Sequence, residues 1–156
     1  MTSRLKISSF FDGGNIEVID ATEPDNIRVN IPKDTNSDFF QWFYFRLQGG
    51  MGEQCVIRFE NASDAAFAEG WEGYQAVASY DREHWFRVPT EYVDGVLVVT
   101  HTPEQDSVYY AYFAPYSYER HLDMVAWATS YEDCITHHIG ETAEGRDITM
   151  LEISKT

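Results

Sequence analysis

The stretch that decides the fold is Gln41-Trp42-Phe43-Tyr44-Phe45-Arg46-Leu47-Gln48, an eight-residue run in which aromatic and polar side chains are interleaved. Side chains of a β-strand alternate between its two faces, so Phe43, Phe45 and Leu47 share one face and the residues between them form the other. Large aromatic side chains occur on both faces. We therefore expect both faces of this strand to be at least partly covered.

The same two-residue period continues on both sides of this run. A glycine-rich turn at residues 49–52 leads into residues 54–60, and the two runs predict a hairpin. Residues 15–21 and 27–31 predict another hairpin across Glu23-Pro24-Asp25-Asn26. Further strands are predicted at residues 74–80, 85–88, 96–101 and 108–114. This spacing of short strands predicts a mainly β fold, an antiparallel β-sandwich of about eight or nine strands.

The pattern changes at Pro115. Residues Tyr118 to Tyr131 contain neither glycine nor proline and place apolar residues at helical spacing, which predicts one amphipathic helix. A β-hairpin is expected to follow, with strands at residues 136–140 and 147–153 and a turn at Glu144-Gly145. The sequence thus predicts a sandwich domain at residues 1–115 and a separate helix and hairpin at residues 116–156.

Charge and composition exclude several classes of partner. The chain has 156 residues, with 26 acidic against 11 basic side chains and a net charge of −15. Because nucleic-acid affinity depends on basic groups that neutralise phosphates, we expect no nucleic acid and no anionic membrane surface as partner. No segment approaches the roughly 20 apolar residues of a membrane-spanning helix.

The ends of the chain and its two cysteines indicate the cellular compartment. The first residues lack the apolar segment of a secretory signal. Cys55 and Cys134 lie far apart in the sequence. We therefore expect a cytoplasmic protein with both thiols free, and a disulfide between them is the less favoured alternative.

Two segments resemble parts of a known enzyme family. Residues 109–118, Tyr-Tyr-Ala-Tyr-Phe-Ala-Pro-Tyr-Ser-Tyr, are similar to the Pro-Tyr-Ser/Thr-Tyr segment of cytosolic carboxypeptidases, an M14 subgroup with a β-sandwich domain ahead of the catalytic domain. Residues 140–148 carry the pattern Gly-x-Thr-x-Glu-Gly-Arg-Asp-Ile, which resembles the opening hairpin of an M14 catalytic domain. The order and spacing of the two segments also match the family.

The resemblance implies a zinc metallocarboxypeptidase that removes C-terminal residues from peptides or proteins. Residues 1–115 would be its N-terminal accessory domain, and residues 116–156 the first helix and hairpin of its catalytic domain. The family's zinc motif would follow this hairpin, so we expect no catalytic, cofactor-binding or metal-binding residue in this segment. On this interpretation zinc belongs to the parent enzyme, and the segment alone is inactive and helps to fold and position the catalytic domain.

The aromatic residues at the predicted domain boundary have two interpretations. They could dock the sandwich onto the catalytic domain, or they could be sandwich core followed by a rigid linker. The docking set is Tyr112, Phe113, Pro115, Tyr116 and Tyr118. The expected partner is the chain's own catalytic domain. The apolar hairpin at residues 139–153 would leave an unpaired sheet edge, so we also expect a homo-oligomer, an exchanged strand or a hairpin folded back on the sandwich.

Three short patterns imitate functional motifs. His101-Thr102-Pro103-Glu104 reads His-x-x-Glu, but a zinc site needs converging side chains and a third protein ligand, and Pro103 starts a turn. Neighbouring side chains on a strand point to opposite faces, so His137 and His138 cannot hold one ion together. Arg146 and Glu144 could be mistaken for active-site groups, but Gly145 is expected to serve the turn and Arg146 to pair with a nearby carboxylate.

A carbohydrate-binding module is the main alternative function, since Trp71, Tyr74 and Trp85 could form a stacking platform on a β-sandwich. A coplanar row of exposed rings would favour this alternative, and buried rings would exclude it. An independent hydrolase is disfavoured because no Gly-x-Ser-x-Gly motif occurs.

Overall fold

The computed structural model describes residues 4–155. Its chain divides into two compact units, whose boundary in the sequence lies between Pro115 and Tyr116. The first unit is built from strands, and the second contains an α-helix and a two-stranded sheet. Among the residues described, no helix is long and apolar enough to cross a membrane.

The first unit consists of two five-stranded sheets. Its strands are β1 (Lys6–Ser8), β2 (Glu17–Asp20), β3 (Ile27–Asn30), β4 (Tyr44–Gln48), β5 (Cys55–Phe59), β6 (Val77–Ser79), β7 (Phe86–Arg87), β8 (Thr90–Val93), β9 (Val96–His101) and β10 (Ser107–Ala111). Sheet 1 has the order β1-β4-β10-β6-β7, and sheet 2 has the order β2-β3-β5-β9-β8. Short 3-10 helices occur at Pro24–Asn26, Ala62–Asp64 and Ala68–Trp71.

One hydrophobic core lies between the two sheets. Phe43, which directly precedes β4, and Phe45 of β4 contact Phe59 of β5, with ring centroids 4.5 and 6.2 Å from that ring. All three rings are completely buried. Full burial of one such side chain stabilises a fold by about 1.5–3 kcal/mol. The aromatic run at residues 41–48 thus holds the two sheets face to face.

The predicted fold class is confirmed, because the unit is a mainly β sandwich. It has ten strands rather than eight or nine, and β3 pairs with β5 in parallel. The hairpin predicted from residues 41–48 and 54–60 is wrong. Strand β4 pairs with β1 and β10 in sheet 1, whereas β5 pairs with β3 and β9 in sheet 2.

The glycine-rich turn carries the chain from one sheet to the other. The amide of Gly49 donates to the carbonyl of Asp106, and that of Gly52 donates to Pro103, both in the segment between β9 and β10. Gly49 has a φ of +88°, and a Cβ at this position would lie 2.2 Å from the carbonyl oxygen of Arg4. Only glycine allows this close approach.

The second unit comprises α1 (Tyr118–Ala128), β11 (Cys134–Glu141) and β12 (Asp147–Ile153). The hydroxyl of Ser117 caps the helix by accepting a hydrogen bond from the amide of Arg120. The helix ends three residues before the predicted Tyr131. Strands β11 and β12 form an antiparallel hairpin with a register shift between His138 and Gly140.

Candidate functional site

Tyr112 is fixed to the sandwich by contacts along its whole side chain. Its ring stacks on Tyr74 at 5.1 Å and meets the edge of Trp71 at 5.6 Å. The Tyr74 hydroxyl donates a hydrogen bond to the Tyr112 carbonyl, and burial raises the Tyr74 pKa far above its ordinary value. This neutral hydroxyl holds the backbone in place just before the boundary at Pro115.

Phe113 is the exposed member of the predicted docking set in the first unit. Its ring is 54% exposed and rests against Tyr112 and Trp42 at 5.1 and 5.0 Å. The Trp42 indole in turn donates to the carbonyl of Gly13 at 2.7 Å. One part of the Phe113 ring therefore packs on the sandwich, and the rest is exposed. Pro115, two residues later, is half-buried.

Tyr116 and Tyr118 belong to the second unit, where arginine side chains cover them. The guanidinium of Arg120 lies 5.4 Å from the Tyr116 ring, and that of Arg146 lies 4.7 Å from the Tyr118 ring. Contacts of this kind contribute about 0.5–1 kcal/mol at exposed sites. The structure thus brings Tyr112 and Phe113 together in one unit, and it places Tyr116 and Tyr118 at the helix start of the other. Arg146 contacts an aromatic ring of its own unit, and its pairing with a carboxylate stays a prediction.

A second aromatic cluster lies on the outer face of sheet 1. We call it the outer cluster, and its rings are Phe11, Trp42, Tyr44, Trp85 and Tyr109. They meet mostly edge to face, for example Phe11 and Tyr44 at 4.7 Å. Tyr44 is completely buried by its neighbours. The expectation that both faces of the strand at residues 41–48 are covered is therefore confirmed.

Arg82 lies over the outer cluster. Its guanidinium carbon is 5.4 Å from both the Phe11 and Tyr109 rings, and its Nε donates to the Tyr44 hydroxyl at 2.9 Å. Burial raises the Tyr44 pKa, and the hydrogen bond from Arg82 partly opposes this shift. Sequence reasoning missed this arrangement.

The loop that carries Arg82 is held by side-chain to backbone hydrogen bonds. The Ser79 hydroxyl accepts from the amide of Arg82 at 2.8 Å, and one oxygen of Asp81 accepts from the amides of Glu83 and His84, both at 2.8 Å. The bonds from His84 and Glu83 lower the Asp81 pKa. This pattern fixes Arg82 at a φ of +66°, a left-handed conformation that is unfavourable for a residue with a side chain.

The histidines that imitate metal motifs have ordinary partners. His101 Nδ1 lies 2.9 Å from the Tyr110 hydroxyl inside the sandwich, and burial lowers the His101 pKa. His137 Nε2 lies 2.7 Å from a carboxylate oxygen of Glu152. Each of these side chains is accounted for by a local contact.

His138 lies near two carboxylates, Glu141 and Asp147, and within residues 4–155 these three form the one group that could hold a metal ion. Their donor atoms lie within 4.8 Å of one another, and His138 Nε2 is 3.4 Å from Asp147. All three side chains are exposed. A catalytic zinc site is enclosed, and its ligands are oriented by further hydrogen bonds, so the group does not suit that role. We interpret it as a surface ion pair with an adjacent carboxylate.

The rings of the proposed carbohydrate platform are not arranged for sugar stacking. Trp71 is buried, and its indole donates to the carbonyl of Ala62 at 2.9 Å. Tyr74 meets it edge to face at 69°. Trp85 is half-buried in the outer cluster. Because Trp71 is buried and Tyr74 is not coplanar with it, these rings do not form the flat exposed row that the carbohydrate-binding alternative requires.

Comparisons with known proteins give consistent matches. A protein-family model described as the cytosolic carboxypeptidase N-terminal domain matches residues 7–113. The structure of a metallo-carboxypeptidase from Burkholderia cenocepacia is 47% identical with a TM-score of 0.94, covering 97% of this chain and 40% of that chain. A second structure, from Burkholderia mallei, is 46% identical with a TM-score of 0.96, covering 100% of this chain and 40% of its own.

A relative found by sequence gives the same proportions. An uncharacterised protein of Zymomonas mobilis is 40% identical over 151 residues, which are 97% of this chain and 40% of that protein. The chain thus spans about two fifths of the length of the relatives it matches.

Proposed function

Because this chain belongs to the family of cytosolic carboxypeptidase N-terminal domains, we propose that it is the N-terminal part of a longer metallo-carboxypeptidase and that it supports the folding and position of the catalytic region. One observation carries the proposal. The sandwich has a closed core, whereas the helix and hairpin expose large apolar side chains, including Trp127, Ile135, Ile139 and Ile153. Such surfaces are normally covered by further structure, and the catalytic region would supply that cover.

The chemistry of the parent enzyme is assigned to residues outside this segment. On the proposal, the parent removes C-terminal residues from peptides or proteins. A bound zinc ion would polarise the scissile carbonyl and activate water there. The segment's own part is positional, and alone it is inactive. A cytoplasmic location belongs to the same proposal and is supported by the family description.

The boundary residues suit a rigid connection between the two parts. Tyr112 is anchored to the sandwich by Tyr74, and Pro115 has a fixed φ and no amide hydrogen, so the chain leaves β10 in a restricted direction. Phe113 and Tyr116 keep more than half of their surface exposed. Aromatic side chains of this size bury about 150–250 Å² when a partner covers them. We propose that Tyr112, Phe113, Pro115, Tyr116 and Tyr118 together set the geometry of the junction.

The hairpin edge gives the proposal a second consequence. Strand β11 pairs with β12 alone among the described strands, so each has an unpaired edge. We propose that strands of the catalytic region extend this sheet, and that the 156-residue chain self-associates through the same edge when they are missing.

Three proteins test the proposed function: the full-length protein, a version that lacks residues 1–115, and the 156-residue chain. We expect the full-length protein to release C-terminal residues from peptides, to lose this activity with a chelator and to regain it with zinc. The version without the sandwich should be insoluble or inactive. Equal stability and activity of the full-length protein and of the version without the sandwich would contradict the supporting role.

A single variant tests the junction. Tyr116→Ala should lower the thermal stability of the full-length protein, because the variant removes an aromatic side chain that the catalytic region would bury. Met51→Ala serves as the control, since Met51 has a similar exposed fraction and lies in the turn between the sheets. Equal effects of the two variants would argue against a docking role for Tyr116.

A further inference from the structure

We propose that the outer cluster is a docking surface for the catalytic region, with Phe10 as its apolar anchor and Arg82 as a carboxylate-binding group. This inference rests on the proposed function and adds the surface and the chemistry of the contact. It concerns residues outside the Tyr112–Tyr118 set.

The exposure of Phe10 is the first feature that supports this docking surface. Its side chain is fully exposed, although the next residue, Phe11, packs into the outer cluster. A single exposed apolar residue needs no explanation, but Phe10 directly precedes Phe11 of the outer cluster. Phe113, half-exposed, rests on Trp42, and Trp42 bonds to Gly13 in the same loop as Phe10. Phe10 and Phe113 are thus two exposed phenylalanines, one next in sequence to Phe11 of the outer cluster and one in contact with its Trp42.

The fixed guanidinium of Arg82 is the second supporting feature. Its Nε is bonded to Tyr44, but within residues 4–155 its two terminal nitrogens have no hydrogen-bond partner. The loop holds Arg82 in an unfavourable backbone conformation, which keeps the guanidinium over the rings of Phe11 and Tyr109. A guanidinium fixed in this way presents its free nitrogens as a ready fork for a carboxylate.

The positive charge of the strands of sheet 1 is the third supporting feature. Its five strands contain Lys6, Arg46 and Arg87 and no acidic residue, in a chain with 26 acidic and 11 basic side chains. Arg46 lies directly opposite Tyr109 in the sheet, and its buried Nε has no partner among the described residues. Two arginines thus border the Tyr109 ring. Aromatic residues and arginine are enriched at the centres of protein interfaces.

The size of the relatives favours the catalytic region as the occupant. The matched region is 40% of the Burkholderia cenocepacia structure and of the Zymomonas mobilis protein, so 100% − 40% = 60% of each lies outside it. A second copy of this chain is a weaker candidate for this surface, because its self-association is proposed through the unpaired hairpin edge and the net charge of −15 on each copy opposes a further contact. The catalytic region is covalently connected, so its effective concentration at this surface is high.

The test compares each variant in the 156-residue chain and in the full-length protein. Phe10→Ser should leave the melting temperature of the 156-residue chain unchanged, because the Phe10 side chain is fully exposed there. In the full-length protein it should lower the melting temperature by about 2–4 °C or more. Phe39→Ser is the control, since Phe39 is also exposed, and it should be neutral in both proteins.

The contact between Arg82 and Tyr44 already stabilises the sandwich. Arg82 is therefore tested by comparing the loss of melting temperature in the full-length protein with the loss in the 156-residue chain. Arg82→Gln should cost more in the full-length protein than in the 156-residue chain. Arg58→Gln on sheet 2 is the matched control and should show no excess. High salt should reduce the excess for Arg82, because salt screens an ion pair at an accessible interface.

Two outcomes would overturn the inference. The first is that Phe10→Ser and Arg82→Gln affect both proteins equally. The second is that the 156-residue chain forms a dimer that Phe10→Ser dissociates, which would make this surface an interface between copies. Either outcome leaves the proposed function intact. The proposed function fails only if the full-length protein lacks metal-dependent carboxypeptidase activity or does not need the sandwich.

Discussion

The two units of this chain differ in how completely they bury their apolar side chains. In the sandwich, Phe43, Phe45 and Phe59 meet in a core with no exposed surface. In residues 116–155, Ala128 is the one buried apolar side chain among the residues described, although this unit also has a helix and a complete hairpin. Regular secondary structure is therefore not a sign of a finished domain, because only the sandwich has two layers that cover each other.

The largest contrast should appear in the two thiols, one in each unit. Burial raises the pKa of Cys55 to about 11, whereas Cys134 is half-buried. A thiol-specific reagent should modify Cys55 on the order of 10³-fold more slowly than Cys134 near pH 8, because the reactive thiolate of Cys55 is scarce and shielded. Strong denaturant should remove the difference. Similar native rates would show that the sandwich opens readily.

Matched isoleucines give the next largest effect. Ile57 of β5 is buried and Ile135 of β11 is more than half exposed. Ile57→Ala should reduce the free energy of unfolding by about 2–5 kcal/mol, because it leaves a cavity. Ile135→Ala should change it by less than about 1 kcal/mol. Urea unfolding of the sandwich, followed by tryptophan fluorescence, measures both. Comparable losses would mean that the two units share one core.

The helix cap should produce a smaller loss that is confined to the second unit. Ser117→Ala removes the acceptor for the amide of Arg120 and should destabilise α1 by about 1 kcal/mol. Far-ultraviolet circular dichroism should show reduced helix content, and the sandwich transition in urea should stay unchanged. A shifted sandwich transition would contradict a loss that is confined to the second unit.

His101 should give the smallest effect, visible as a dependence on pH. Burial lowers its pKa in the folded protein, with an opposing effect from Glu104. The unfolded chain then binds more protons below the ordinary histidine pKa of about 6.5, so stability falls as pH drops through this range and is unaffected above it. His84 has the opposite sign, because its hydrogen bond to Asp81 raises its pKa.

Urea unfolding between pH 5 and pH 8 distinguishes the two histidines. His101→Gln should flatten the loss of stability on the acidic side, and His84→Gln should leave that side unchanged. An unaltered acidic slope in His101→Gln would refute the contribution of His101.

Alternation along the strands was enough to predict much of the fold. Strands β9 and β12 span the residues that their patterns predict, and the aromatic run at residues 41–48 does face both a core and an outer cluster. The error at residues 54–60 has a physical reason. A two-residue period says which side chains point inward, but it does not identify the neighbouring strand when a flexible glycine turn permits either a hairpin or a crossing between sheets.

The candidate site was only partly accessible to sequence reasoning. The segments 109–118 and 139–153 carried a resemblance to carboxypeptidases, which is confirmed by the family model for residues 7–113 and by the metallo-carboxypeptidase structure that covers 97% of this chain. Arg82 was missed because its position depends on residues 11, 44 and 109, which are distant in the sequence. Ser79 and Asp81, both common in turns that bond their own backbone, were the available signal. Phe10 gave none, since an exposed and a buried phenylalanine are identical in sequence.

The position of β10 in sheet 1 has a consequence for biosynthesis. It is the last strand of the sandwich to be made, yet it lies at the centre of its sheet, between β4 and β6. Strands β6 and β7 cannot join β1 and β4 until β10 has been synthesised and inserted. The sandwich therefore closes only when translation has reached residue 111, a few residues before the helix and hairpin begin. Completion of the first unit is thus timed to the arrival of the second.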